Sequence, residues 1–137
     1  MFARAPWRLC ALALVLAVGA CDKKVDDRGS STVDFSDSKR VLSSVFYAAK
    51  SGQSKHLASL CDPMGKSNAH AKRICSQVVG SDDWSLFVEQ FSKGRLIGEA
   101  RINGDRALVN FVFGKSGTKR ETMELVRRDG RWYLLAF

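Results

Sequence analysis

The sequence predicts an α+β domain in which N-terminal helices pack on a curved four-stranded antiparallel sheet, a cone-like, cystatin-like architecture. Three observations carry this. Up to Gly94 apolar residues recur at helical spacings of three and four, and from Arg95 onward they alternate with a period of two. The second half is also punctuated by short turn sequences of hairpin type. The 137 residues leave room for one domain. A composition of 45% apolar and 26% charged residues is globular and excludes a disordered chain.

The elements follow in order. Residues 38 to 52 form a helix capped by Asp37 or Ser36, with Val41, Leu42, Val45, Phe46 and Ala49 on one wide apolar face and Gly52 as its stop. A short helix fits residues 54 to 61, with Ser54 as cap and Leu57, Ala58 and Leu60 facing inward. After the Asp62-Pro63 turn, Ala71, Ile74, Cys75 and Val78 suit a further helical segment. Over residues 81 to 94, Trp84, Phe87, Val88 and Phe91 stand at i, i+3, i+4 and i+7, with caps in Ser81 to Asp83 and a stop at Gly94. Four strands follow, over 95 to 102, 106 to 114, 118 to 128 and 131 to 137. Their connections are Asn103-Gly104-Asp105, Lys115-Ser116-Gly117 and Asp129-Gly130. Alternation puts Ala107, Val109, Phe111 and Phe113 on one face of the second strand, and Met123 and Leu125 on one face of the third.

The first twenty residues read as an export signal. Arg4 and Arg8 precede an apolar run from Leu9 to Ala20, twelve residues long, too short for a bilayer-spanning helix of about 20. The run ends in Val18-Gly19-Ala20-Cys21, which resembles the lipobox of bacterial lipoproteins, with Val where the usual form has Leu and with Gly and Ala exchanged. The resemblance implies a signal peptide over 1 to 20, cleavage before Cys21 and acylation of that cysteine, a palmitate-type anchor in the membrane. The alternative is an ordinary signal peptide, with Cys21 a disulfide partner or free thiol. Asp22 resembles the residue that retains such lipoproteins on the inner membrane, so the expected location is the cell envelope, facing the periplasm, with the inner membrane favoured. Cleavage would leave 117 residues and a charge of +6 in place of +8, since Arg4 and Arg8 depart with no acid. Residues 21 to 36, polar and rich in Ser and Asp, then form a lipidated tether, and residues 37 to 137 the domain.

Several marks of the domain point to a family. They are a helix with Phe46 and Tyr47 near its end, a Ser-Gly-Gln stop and a short segment ending Leu-Ala-Ser-Leu-Cys. A Phe-rich helix follows, then the strand Gly104-Asp105-Arg106-Ala107-Leu108-Val109 and the closing pair that contains Asp129-Gly130-Arg131-Trp132-Tyr133-Leu134. Residues 37 to 137 in this way resemble the small bacterial lipoproteins with a lumazine-binding-protein-like or uncharacterised domain of the nuclear-transport-factor-two-like superfamily. The resemblance implies a cone whose sheet and helices enclose a pocket, in a superfamily of isomerases, dehydratases, transport adaptors and secretion scaffolds. Fold alone does not choose among them.

Catalysis is not expected. The inward strand positions are Ala, Val, Phe, Met and Leu, Asp105 and Asp129 lie in turns, and Glu99 and Glu124 stand where ion pairing with Arg or Lys is the natural role. Cys61 and Cys75 enclose fifteen residues and, in an exported chain, form a disulfide. Zinc held with His56 and His70 is a rival reading, although each His precedes its Cys by five residues, a step of about 140° on a helix; free buried thiols are another. From Arg95 onward nine Lys or Arg meet five acids. A solvated sheet face explains that excess, or attraction to anionic headgroups or an acidic partner, while nucleic acid is not expected. Trp84, Phe87, Phe91, Phe111, Phe113, Met123 and Trp132 are the candidates to line a pocket, or else to fill the core. The function expected is a non-enzymatic envelope lipoprotein that binds a partner protein or small apolar ligand, without cofactor or metal. The alternatives are a scaffold or accessory subunit of a secretion or conjugation assembly and, more remotely, a small pocket enzyme of isomerase or dehydratase type.

Overall fold

The computed structural model describes residues 32 to 137. The expected signal peptide, Cys21 and most of the expected tether lie outside the described residues.

Helix α1 spans Ser38–Ser51, α2 Ala69–Cys75 and α3 Trp84–Phe91, with a 3-10 turn at Leu57–Leu60 between the first two. Strands β1 (Arg95–Asn103), β2 (Arg106–Phe113), β3 (Lys119–Arg128) and β4 (Arg131–Ala136) form an antiparallel meander in the order β1-β2-β3-β4. The expected α+β architecture is therefore the observed one.

Asp37 caps α1 by accepting the Lys39 N–H at 2.8 Å, and Gly52 closes it in the left-handed conformation (φ 69°) that glycine adopts without strain. The buried face of α1, Val41, Leu42, Val45, Phe46 and Ala49, lies on the inward side chains of the sheet, Ala107, Val109, Phe111, Met123, Leu125 and Leu134. Gly94 allows this approach: a Cβ there would run into the Phe46 ring. The sheet curves around α1 because the register shifts twice, between Ile97 and Arg101 around Gly98 (φ 68°) and at Glu124–Leu125.

Three local expectations are corrected. Residues 54 to 61 do not form an α-helix: the Ser54 hydroxyl accepts the Val79 N–H at 3.2 Å and only Leu57–Leu60 coil, as a 3-10 turn. With three residues per turn, Leu57 and Leu60 share the inward face and Ala58 is exposed. Helix α2, capped by Asn68 on the Ala71 N–H, stops at Cys75, so Val78 falls beyond it and is 59% exposed. At the end of the expected tether, Val33 and Phe35 pack against the core. The Phe35 carbonyl accepts the Trp132 N–H at 2.8 Å, its ring lies 5.6 Å from Tyr133, and the Arg131 guanidinium sits 4.3 Å above it. The domain thus begins a few residues before Asp37.

The outer edge of β4 is closed by the chain itself. Cys61 bridges to Leu134, the Asn68 N–H donates to Leu135 O at 2.7 Å, and Ser67 donates to Leu134 O at 2.7 Å. Cys61 and Cys75 are joined in a disulfide with their Cα atoms 6.1 Å apart, which ties this edge to α2.

Candidate functional site

A cleft of about 460 Å³ opens where α2 and α3 reach past the end of the sheet. That volume lies within the ~300–1,000 Å³ typical of small-molecule sites. Helix α2 presents His70, Arg73 and Ile74, and Gln77 continues the stripe beyond the helix end. Helix α3 presents Leu86, Phe87, Gln90 and Phe91, with Asp83 at its cap. The sheet contributes Phe113 from the end of β2, Lys119 and Glu121 from the start of β3, and Phe137 just after β4.

Aromatic rings make the floor. Phe91 lies 5.2 Å from Phe87 and 5.4 Å from Phe113, while the Phe137 ring stands edge-on to Phe91, Phe111 and Phe113 at 5.9 to 6.4 Å. His70 borders Phe137, ring to ring, at 5.6 Å. Lys119 holds its ammonium 5.0 Å above the Phe113 ring. The Gly114 N–H donates to Gln90 O at 2.6 Å and locks α3 onto the end of β2, which fixes the distance between two walls.

The polar lining differs from the floor in one respect. Gln77 is only 7% exposed; its amide nitrogen donates to Arg73 O at 3.1 Å, but its Oε1 is buried with no hydrogen-bond partner among the described residues.

Of the seven expected pocket residues Phe87, Phe91 and Phe113 line the cleft. Phe111 and Met123 are wholly buried, and Trp132 is 3% exposed beneath the Arg127 guanidinium, 5.1 Å from its ring. These three occupy sheet positions that α1, its neighbours and Arg127 cover, so their volume is already filled. Trp84 packs on Phe87 at 5.2 Å and is half-buried outside the lining. Phe113, on the same inward face as Phe111, stands at the end of β2 where the space opens. His70, Asp83 and Glu121 place ionisable groups on the lining, which the inward strand positions alone do not suggest. Two sequence signals do locate the cleft: residues 70, 73, 74 and 77 and residues 83, 86, 87, 90 and 91 each follow the helical spacing of one face.

The other site candidates separate from the cleft. Glu124 pairs with Arg106 across two strands at 2.9 Å, but Glu99 pairs with Lys39 of α1 at 3.2 Å and with no strand residue. His56 sits before the 3-10 turn, whereas His70 is in the cleft, and Cys61 and Cys75 are bonded to each other. Among the described residues no group of three or more His, Cys, Asp or Glu converges as a metal site would require. No described helix is long and apolar enough to cross a membrane.

No family model matches the chain, and no curated protein matches it significantly. Among solved structures it is similar to a chain from Campylobacter jejuni described as an NTF2-like transpeptidase, at 17% identity and a TM-score of 0.43, covering 69% of this chain and 94% of that one. A likeness at that level bears on neither activity nor site.

Proposed function

We propose that the protein is a lipid-anchored component of a bacterial cell envelope, attached through Cys21, whose α+β domain binds a small apolar ligand in the cleft without catalysing a reaction. The single observation that carries the binding reading is the cleft itself: a concavity of ligand size, floored by Phe87, Phe91, Phe113 and Phe137 and edged by a few polar groups. The anchor rests on the sequence of residues 1 to 21.

Calorimetric titration of the purified full chain with naphthalene tests the binding reading. One saturable site with a negative heat-capacity change, the mark of apolar burial, is the expected result; no saturable heat refutes it. Intact mass spectrometry of the membrane fraction tests the anchor, through loss of residues 1 to 20 together with added acyl mass. An unmodified chain beginning at Met1 in that fraction contradicts it.

A scaffold role is the second reading. It is favoured by the sheet half, where Ile102 and Leu108 are exposed, β1 pairs only with β2, and Arg95, Arg101 and Arg120 form no ion pair among the described residues. A stable complex recovered from envelope extracts, with the cleft unresponsive to naphthalene, favours this reading over the first.

A further inference from the structure

Building on the cleft as a ligand site, we infer its ligand class: a neutral, flat aromatic molecule that carries a hydroxyl or N–H donor, with its ring on the phenylalanine floor and its donor on the Oε1 of Gln77.

The argument starts from an unmet hydrogen bond. A buried acceptor without a partner costs about 1–3 kcal/mol, so folded proteins keep few of them and each one calls for a reason. Elsewhere in this domain buried polar side chains are well served. Asp62 accepts from Arg128 and from the N–H groups of Met64 and Lys66, and Ser67 both accepts the Asp62 N–H and donates to Leu134 O. Among the described residues, only His56 Nε2 and Gln77 Oε1 are buried side-chain polar atoms without a partner, and of the two residues only Gln77 lines the cleft.

Which atom is unmet is decided by chemistry. The other end of the amide faces Arg73 O at 3.1 Å, and a carbonyl oxygen there requires a donor. The nitrogen must therefore point at Arg73 and the oxygen is the atom left over. An acceptor selects a donor, and with the nitrogen held on Arg73 O the oxygen keeps its place, so the ligand must bring the donor to it.

The rest of the lining sets shape and charge. Four phenylalanines favour a flat apolar body that stacks or sits edge-on. Around them Arg73 and Lys119 are matched by Asp83 and Glu121, so the rim has no excess of either sign with which to select an ion. Lys119 is further engaged with the Phe113 ring.

The test compares three probes with one aromatic body in calorimetry on the full chain: 2-naphthol, 2-methoxynaphthalene and 2-naphthoate. The first carries the donor, the second lacks it and the third is an anion. On the wild-type protein 2-naphthol is expected to bind about threefold to tenfold more tightly than 2-methoxynaphthalene, the equivalent of one net hydrogen bond. Gln77→Met, which keeps length and removes the acceptor, should erase that difference, read as the ratio of the two affinities on the same variant. If 2-naphthol and 2-methoxynaphthalene bind equally well to wild type, if Gln77→Met preserves their difference, or if 2-naphthoate binds most tightly, the ligand class is wrong although the cleft still binds. If none of the three binds, the reading of the cleft itself fails.

Discussion

The two ends of the sheet use buried polar groups in opposite ways. At the β4 edge the Asp62 side chain has no solvent exposure and is fully engaged: Arg128 donates Nε at 2.7 Å and Nη2 at 2.9 Å, and two backbone N–H groups add to them. At the cleft end Gln77 is buried almost as deeply, and half of its amide is without a partner. A satisfied buried polar cluster fixes one arrangement of the chain, whereas an unsatisfied one leaves free energy to be recovered when another molecule arrives. The comparison assigns stability to the first end and binding to the second, and each substitution that follows tests that division.

The largest effect is expected where the satisfied end is broken. Arg128→Met leaves the Asp62 carboxylate buried without its cation, and the loss of stability should be the largest of the set. Urea unfolding reads it as a fall in midpoint at unchanged slope, and a fall of under about 1 kcal/mol refutes the assignment. Next comes the disulfide. Cys61→Ser with Cys75→Ser releases a loop whose closure is worth about 3 kcal/mol in the chain-entropy model. Because Cys75 ends the helix that carries Ile74 and Gln77's approach to the cleft, naphthalene affinity should fall in the same variant. Retained affinity would show that α2 is held without the bond.

Acid unfolding gives a smaller effect of known sign. The hydrogen bonds from Arg128, chiefly, hold the Asp62 carboxyl down from 3.8 to about 2. A depressed carboxyl stabilises the folded state above its unfolded value and loses that contribution as pH falls through the folded one. Stability should decline by on the order of 2 kcal/mol between about pH 4 and pH 2, and the decline should be absent in Asp62→Asn. An unchanged pH profile in that variant contradicts the role given to Asp62. The smallest effect belongs to the binding end. Gln77→Met, with one unmet acceptor removed and one bond to Arg73 O lost, should leave stability unchanged or raise it by up to about 1 kcal/mol. A loss above that would make Gln77 a structural residue.

The fold was legible in the sequence because its periodicities are clean. The shift from helical spacing to alternation falls at Gly94–Arg95, the same place as the start of β1, and the turn sequences mark all three hairpins. The 3-10 turn was not legible, since Leu57, Ala58 and Leu60 fit an α-helix equally well until the Ser54 hydroxyl is seen to be taken by Val79. The Cys61 and Cys75 pairing was readable from its spacing together with the expected export. The cleft was readable only in part. Alternation shows that Phe111 and Phe113 share a face, but not that α1 covers the first and leaves the second at an opening, a matter of helix length against sheet length. Nor does any local pattern reveal that Gln77 is buried, since it stands two residues past the end of α2.

The central claim, that the open end of the sheet is a small-molecule site, is tested most directly by amide chemical shifts of the full chain during a titration with 2-naphthol. The account predicts saturable shifts at His70, Ile74, Gln77, Phe87, Phe91 and Lys119, including the Gln77 side-chain amide, with the β4 edge around Asp62 and Ser67 unmoved. Saturable shifts confined to the exposed strand positions Leu108, Asn110 and Arg120, or no saturable shift at all, would contradict it.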